Sequence, residues 1–238
     1  MRVLTVASQK GGSGKTTVAG HLAVQADRAG MGPIVVIDLD PQAALTGWWQ
    51  EREPEEPAMA ETSAARFVAD IELLRRQGYR LAVIDTPPAI EPLAEAIAAV
   101  SDLVLIPTRP SPHDIRAAGS TVALCERADL PLLFVMNGAT PDSRINGETA
   151  LALSQYGTVA PVTLHHRSDF ASSMIDGRTG MEADPGGHSA AEVAALWDFL
   201  ADRIETKFRR TVFMVPGGGV RPHAIARPRM QFDRRVPS

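Results

Sequence analysis

An apolar run, Val3-Leu4-Thr5-Val6-Ala7, breaks into Gln9-Lys10-Gly11-Gly12-Ser13-Gly14-Lys15-Thr16-Thr17 and then into a segment with Val18, Leu22 and Ala26 on one face. Strand, glycine-rich turn and amphipathic helix in that order leave few folds open, because the turn reads as a Walker A phosphate loop. Consecutive glycines let the backbone curl until several N–H groups face one anion, and a helix starting near Lys15 adds its positive end to the same point. Lys15 is expected to reach the β- and γ-phosphates of a nucleotide, and the Thr16 hydroxyl to ligate Mg²⁺.

The loop carries a second lysine, Lys10, just ahead of the glycines. Only Lys10, Lys15 and Lys207 are lysines, and every other basic side chain is arginine. A chain that otherwise uses planar guanidinium forks thus places two of its three ammonium point charges in one phosphate loop.

Around this loop, candidate strands at 2–7, 33–38, 80–85, 102–106, 131–136 and 159–164 alternate with helical patterns at 15–29, 41–52, 61–77, 90–100, 112–128, 143–156 and 189–208. Several of the strands are near-continuous Val/Ile/Leu runs, as in parallel strands covered on both faces. The expected fold class is α/β, a doubly wound, mostly parallel sheet with helices on both faces and ligands at the carboxyl ends of the strands. The 238 residues suit one such domain. Residues 53–60, acidic and broken by Pro54 and Pro57, read as a surface linker. Residues 209–238, rich in Gly, Pro and Arg, read as an extended or disordered basic tail after a phosphate-loop domain at 1–208.

The net charge of −4 is unevenly spread: residues 203–238 carry nine Arg or Lys against Glu205 and Asp233, which leaves −11 on residues 1–202. A basic end of this kind is either a solvated tail or a contact for a polyanion. Cys125 is the single cysteine, so there is no disulfide framework and no cysteine cluster within the chain. No leader and no membrane-spanning run are evident, and a cytoplasmic location is expected.

Two further carboxylate sites complete the pattern. Ile34–Ile37 runs into Asp38-Leu39-Asp40-Pro41-Gln42, and Leu81–Ile84 runs into Asp85-Thr86-Pro87-Pro88. A carboxylate at the end of a buried strand needs a cation or donors nearby. Asp85 fits the role of holding Mg²⁺ through a water, and Asp40 fits orienting or activating the attacking water and is a further candidate at the metal site with Thr16 and Asp85. An aspartate capping the next helix would look the same at either place.

Taken together, Lys10–Thr16, Asp38–Gln42 and Val83–Pro88 resemble the deviant Walker A ATPases of the ParA/MinD superfamily, and within it the small ParA proteins of plasmid partition. With the phosphate loop opening at residue 9, no N-terminal helix-turn-helix is expected. Pro107-Thr108-Arg109-Pro110-Ser111-Pro112 resembles the proline-rich loop that in small ParA proteins contacts nucleotide and partner subunit. The resemblance implies ATP and Mg²⁺ as ligands, held by Gly11, Gly12, Ser13, Gly14, Lys15, Thr16 and Thr17, with Pro110 and Asn137 beside the nucleotide. It implies that Lys10 reaches across a two-fold interface to the partner's phosphates, that ATP sits sandwiched in a homodimer, and that Lys10, Lys15 and Asp40 serve a slow hydrolysis accelerated by a ParB-like activator. It also implies nonspecific DNA binding by the dimer, for which the candidates are Arg167, Arg178, Arg203, Lys207, Arg209 and Arg210.

Relatives with similar loops set the alternatives. Nitrogenase iron proteins and iron–sulfur carriers need paired cysteines, and related tyrosine kinases need a tyrosine cluster, whereas this chain has one cysteine and only Tyr79 and Tyr156. A metabolic enzyme of the dethiobiotin synthetase type, or a MinD-like membrane-associated ATPase, stays open. The cargo, whether plasmid, chromosome or large protein assembly, cannot be read from these residues. The pair His165-His166, followed by Arg167, lacks an evident third metal ligand. Trp48-Trp49 is expected to pack its helix on the sheet, and Cys125 to be a small buried apolar group.

Overall fold

The computed structural model describes residues 1–205. Strands β1 (Arg2–Val6), β2 (Ile34–Asp38), β3 (Ala58–Met59), β4 (Leu81–Asp85), β5 (Leu103–Thr108), β6 (Leu132–Ala139) and β7 (Thr158–His165) form one sheet in the order β3-β2-β4-β1-β5-β6-β7. Every neighbouring pair is parallel. Helices α1 (Lys15–Arg28), α2 (Ala44–Gln50), α3 (Phe67–Arg76), α4 (Ala94–Val100), α5 (Pro112–Arg127), α6 (Arg144–Ser154), α7 (Ser168–Ser172), α8 (Gly180–Ala183) and α9 (His188–Glu205) supply the crossovers and cover both faces.

The apolar strand runs divide with period two, as the pleat requires. Leu4, Val6, Ile34, Val36, Leu81, Val83, Leu103 and Leu105 enter one core with α1, α2 and α9. Val3, Val35, Ile37, Ala82, Ile84, Val104 and Ile106 enter the other, with α3, α4 and α5. Cys125 is buried in this second core, and burial pushes its thiol up to about 12. Trp48 is buried in the first core with Trp49 packed against it, so both indoles brace α2 as their apolar bodies suggest.

Four local expectations are corrected. The segment 53–60 is not wholly irregular, because Ala58 and Met59 form β3, paired with Val35 and Val36. Two paired residues are too short for any periodicity to announce them, and Trp49 Nε1, donating to Pro57 O at 2.8 Å, helps hold them there. Helix α2 begins at Ala44 and not at residue 41, since Ala43 N donates to Asp40 O and closes a turn with Ala43 at φ 52°. Helix α3 begins at Phe67, and the short α7 and α8 lie where no helix is anticipated. The expected helix 189–208 appears as α9, and Lys207, Arg209, Arg210 and the tail 209–238 lie outside the described residues. Among the described residues no helix is long and apolar enough to cross a membrane.

Candidate nucleotide site

Parallel strands put all their carboxyl ends on one edge, and the register brings the candidate residues into a single row there. Asp85 is the Cα partner of Val6 on one side and of Asp38 on the other. The loop 7–14 leaves β1 directly over this row and enters α1 through Gly14, in the left-handed region at φ 90°. A side chain at Gly14 would be strained by that φ and would overlap Asn137 Nδ2. Asn137, near the end of β6, uses the same amide group to donate to Ser13 O at 2.7 Å. The glycine and the asparagine therefore act together, one making room and the other bracing the loop.

The two loop lysines take opposite positions. Lys15 is only 6 % exposed, and burial lowers its pKa against the opposing pull of the Asp85 and Asp40 charges. Lys10 is exposed, with its backbone N–H on Ser8 Oγ at 3.3 Å. Ahead of it, Gln9 ties the loop to its neighbours, its N–H donating to Thr121 Oγ1 at 3.3 Å and its amide to Glu91 Oε1 at 2.5 Å.

Thr16 Oγ1 donates to Asp85 Oδ2 at 2.5 Å. Asp85 is fully buried, and its other oxygen, Oδ1, has no hydrogen-bond partner among the described residues. Burial raises the Asp85 carboxyl to about 7, with the Thr16 hydrogen bond opposing and the nearby Asp38 charge adding to the rise. Ser13 Oγ is likewise buried without a partner among them. A hydroxyl and a buried lysine at the start of α1, facing a carboxylate with an orphaned oxygen at the end of β4, fit a phosphate with its divalent cation, so the donor set suits Mg²⁺.

Asp38 and Asp40 differ in kind. Asp38 Oδ2 accepts from Thr46 N at 2.9 Å and Thr46 Oγ1 at 3.1 Å, and its Oδ1 accepts from Asp40 N at 3.0 Å. Its carboxylate fastens the first turn of α2 to the loop, which is the helix-holding alternative that a strand-ending aspartate leaves open, though nothing in the sequence singles out Thr46, eight residues on, as the partner. Asp40 accepts from Gln42 N at 3.0 Å and faces an open cleft shared with Pro41, Thr62, Pro87 and Leu93. The Arg109–Ser111 turn, which carries Pro110, comes close to β6: a Cβ built on Gly138 would stand 3.6 Å from Arg109 Nε. Thr17 follows on α1, its carbonyl accepting from His21 Nδ1 at 2.8 Å.

The described arginines expected to meet DNA are all engaged within the chain. Arg167 donates to Glu192 Oε1 at 2.7 and 3.1 Å, and Glu192 also accepts from His165. Arg178 pairs with Asp176 at 2.6 Å, and Arg203 lies over the Phe199 ring with a hydrogen bond to Phe199 O. Sequence spacing alone does not reveal these partners, because Glu192 is 25 residues from Arg167.

A parallel sheet with a phosphate loop after its central strand and carboxylates on the strands beside it defines a P-loop nucleotide-binding protein. A profile of the CobQ/CobB/MinD/ParA nucleotide binding domain matches residues 4–152, and the chain belongs to this ParA/MinD family, whose members are ATPases. It is 26 % identical over 198 residues to "Maintenance of carboxysome distribution protein A" of Halothiobacillus neapolitanus, covering 79 % of this chain and 91 % of that one. It is 30 % identical over 176 residues to "Chromosome-partitioning ATPase Soj" of Thermus thermophilus, covering 62 % of this chain and 68 % of the other. Among solved structures, a putative plasmid partition protein from Borrelia burgdorferi bound to AMPPNP superposes with a TM-score of 0.68 at 18 % identity, over 85 % of this chain and 99 % of that one.

Proposed function

We propose that the protein is a ParA-type positioning ATPase: it forms an ATP-sandwich dimer, binds DNA without sequence preference and moves a cargo through partner-stimulated hydrolysis. The observation that carries this reading is the opposite placement of the loop lysines, Lys15 buried and Lys10 exposed. An inward lysine serves the chain's own phosphates. An outward one on the same loop suits phosphates held by a second copy, much as an arginine finger supplied in trans would. In this reading ATP favours the dimer by linkage and hydrolysis releases it. Asp40, half-buried at the open cleft, orients the attacking water, while Thr16 and Asp85 hold Mg²⁺. When bound, Mg²⁺ neutralises charge that develops on the β- and γ-phosphate oxygens.

Relatives concerned with carboxysome distribution and chromosome partition support a cargo that is large and in need of even placement. The activator would be a ParB-like protein, and the −11 charge of residues 1–202 suits a basic segment on it. DNA contact is assigned to basic side chains toward the C-terminal helix and beyond. Because Arg167 and Arg178 are paired with carboxylates, they would serve DNA only after exchanging those partners for phosphates.

The test is binding of nonspecific duplex DNA by the full chain with no nucleotide, with ADP–Mg²⁺ and with ATP–Mg²⁺, at two salt concentrations. ATP-dependent, salt-sensitive binding supports the reading. Absence of binding in every state removes it and turns attention to small-molecule acceptors and anionic lipid surfaces.

A further inference from the structure

Helix α2 links the nucleotide site to a second region. Its first turn is fastened to Asp38 through Thr46. Two residues beyond its far end stands Arg52, whose side chain is only 1 % exposed. Arg52 donates to Gly177 O at 2.7 Å, to Glu56 O at 2.8 Å and to the two Glu182 oxygens at 2.9 and 3.1 Å, and it lies over the Trp48 ring at 4.8 Å. Trp48 Nε1 in turn donates to Arg178 O at 3.0 Å. Gly177, at φ 73°, allows the close approach, since a Cβ there would overlap Arg52 N.

The same segment is held from α1. Gly180 N–H donates to His21 Nε2 at 3.0 Å, so Nδ1 carries the proton that His21 gives to Thr17 O. Glu182 closes a capping box with Thr179 while it receives Arg52. Residues 177–182 are thus bolted both to the helix that follows the phosphate loop and to the helix that follows the Asp38–Ala43 loop.

We propose that Arg52 is a positioning residue which, through Glu182, makes the Gly177–Glu182 segment follow the Asp38–Ala43 loop, so that the bound nucleotide is read out at the surface around Arg178. This rests on the nucleotide-switch reading above. The link is stiff because separating a buried, forked ion pair leaves uncompensated charge, so α2 cannot shift and leave the segment behind. It needs arginine, because only a planar fork reaches two backbone carbonyls and both carboxylate oxygens at once.

Hydrogen exchange of the full chain with ADP–Mg²⁺ and with ATPγS–Mg²⁺ tests the link. Protection of residues 173–183 is expected to differ between the two nucleotides. That difference is expected to shrink by about fivefold or more in Arg52→Lys and in Glu182→Gln, with nucleotide affinity unchanged and no added loss in the double variant. If either variant fails to fold, Glu182→Asp, which keeps the charge but withdraws the carboxylate from the Arg52 fork, is expected to shrink the difference as well. Equal protection in both nucleotides for the parent, or an undiminished difference in the folded variants, overturns the proposal. Nucleotide-dependent protection without any DNA binding leaves the link standing and removes the DNA reading instead.

Discussion

The Thr16 hydroxyl donates to Asp85 at 2.5 Å, supporting one oxygen of a fully buried carboxyl whose other oxygen is unpartnered among the described residues. That pair is poised for a cation and uncomfortable without one. Burial raises the Asp85 carboxyl to about 7, against 3.8 for the ordinary group. A raised carboxyl contributes stability that is complete below the unfolded pKa and is lost as pH rises through the folded one. The chain is therefore expected to lose stability between about pH 5 and about pH 8, by on the order of 3 kcal/mol at most, read as a falling thermal midpoint. Asp85→Asn should flatten that fall. The same decline in parent and variant would mean that another group titrates.

Gly14→Ala introduces a methyl group into Asn137 at a left-handed φ. Titration with a fluorescent nucleotide should show affinity lowered at least tenfold, with a stability loss of about 1–2 kcal/mol from the backbone conformation alone. Asn137→Ala relieves the overlap but also loses the brace on Ser13. The double variant should accordingly recover only part of the affinity. Full recovery would reduce Asn137 to an obstacle.

Lys10→Ala removes an exposed charge. Nucleotide affinity of the monomer should stay within about twofold, while ATP-dependent dimerisation, followed by sedimentation, should weaken by about tenfold or more, as loss of a charge-assisted phosphate interaction implies. A variant that dimerises with ATP as well as the parent would refute the cross-subunit role.

Asp38→Ala and Asp40→Ala should separate cleanly. Asp38 holds Thr46 and the Asp40 amide, so its loss is expected to lower stability by about 1–3 kcal/mol. Asp40 accepts from Gln42 N on an exposed loop, so its loss should leave the thermal midpoint nearly unchanged and cut turnover by about a hundredfold, the scale of one acid–base or water-orienting group. Unchanged turnover in Asp40→Ala would take that residue out of the mechanism.

Deleting residues 211–238 removes five arginines. If they touch DNA, the slope of log affinity against log salt should flatten by about 0.9 for each phosphate that they neutralise. An unchanged slope would assign the DNA surface to the remaining chain.

The amino-acid order alone determined the phosphate loop, the aspartates at the ends of two strands and the alternation of strands with helices, because each is a local property: glycine content, a buried apolar run, a period. It also marked Lys10 as separate from Lys15, through position relative to the glycines. What only the tertiary structure decided depends on partners distant in sequence. Register placed Asp85 between Val6 and Asp38. Packing set Asn137 against Gly14, spent Asp38 on Thr46 and gave Arg167 to Glu192. The two-residue β3 and the short α7 and α8 escape notice in the sequence because they are held by tertiary packing and not by propensity. Arg52 is one more charge among many in the sequence. Burial against Glu182, 130 residues away, makes it the joint between two regions, and no local pattern encodes that distance.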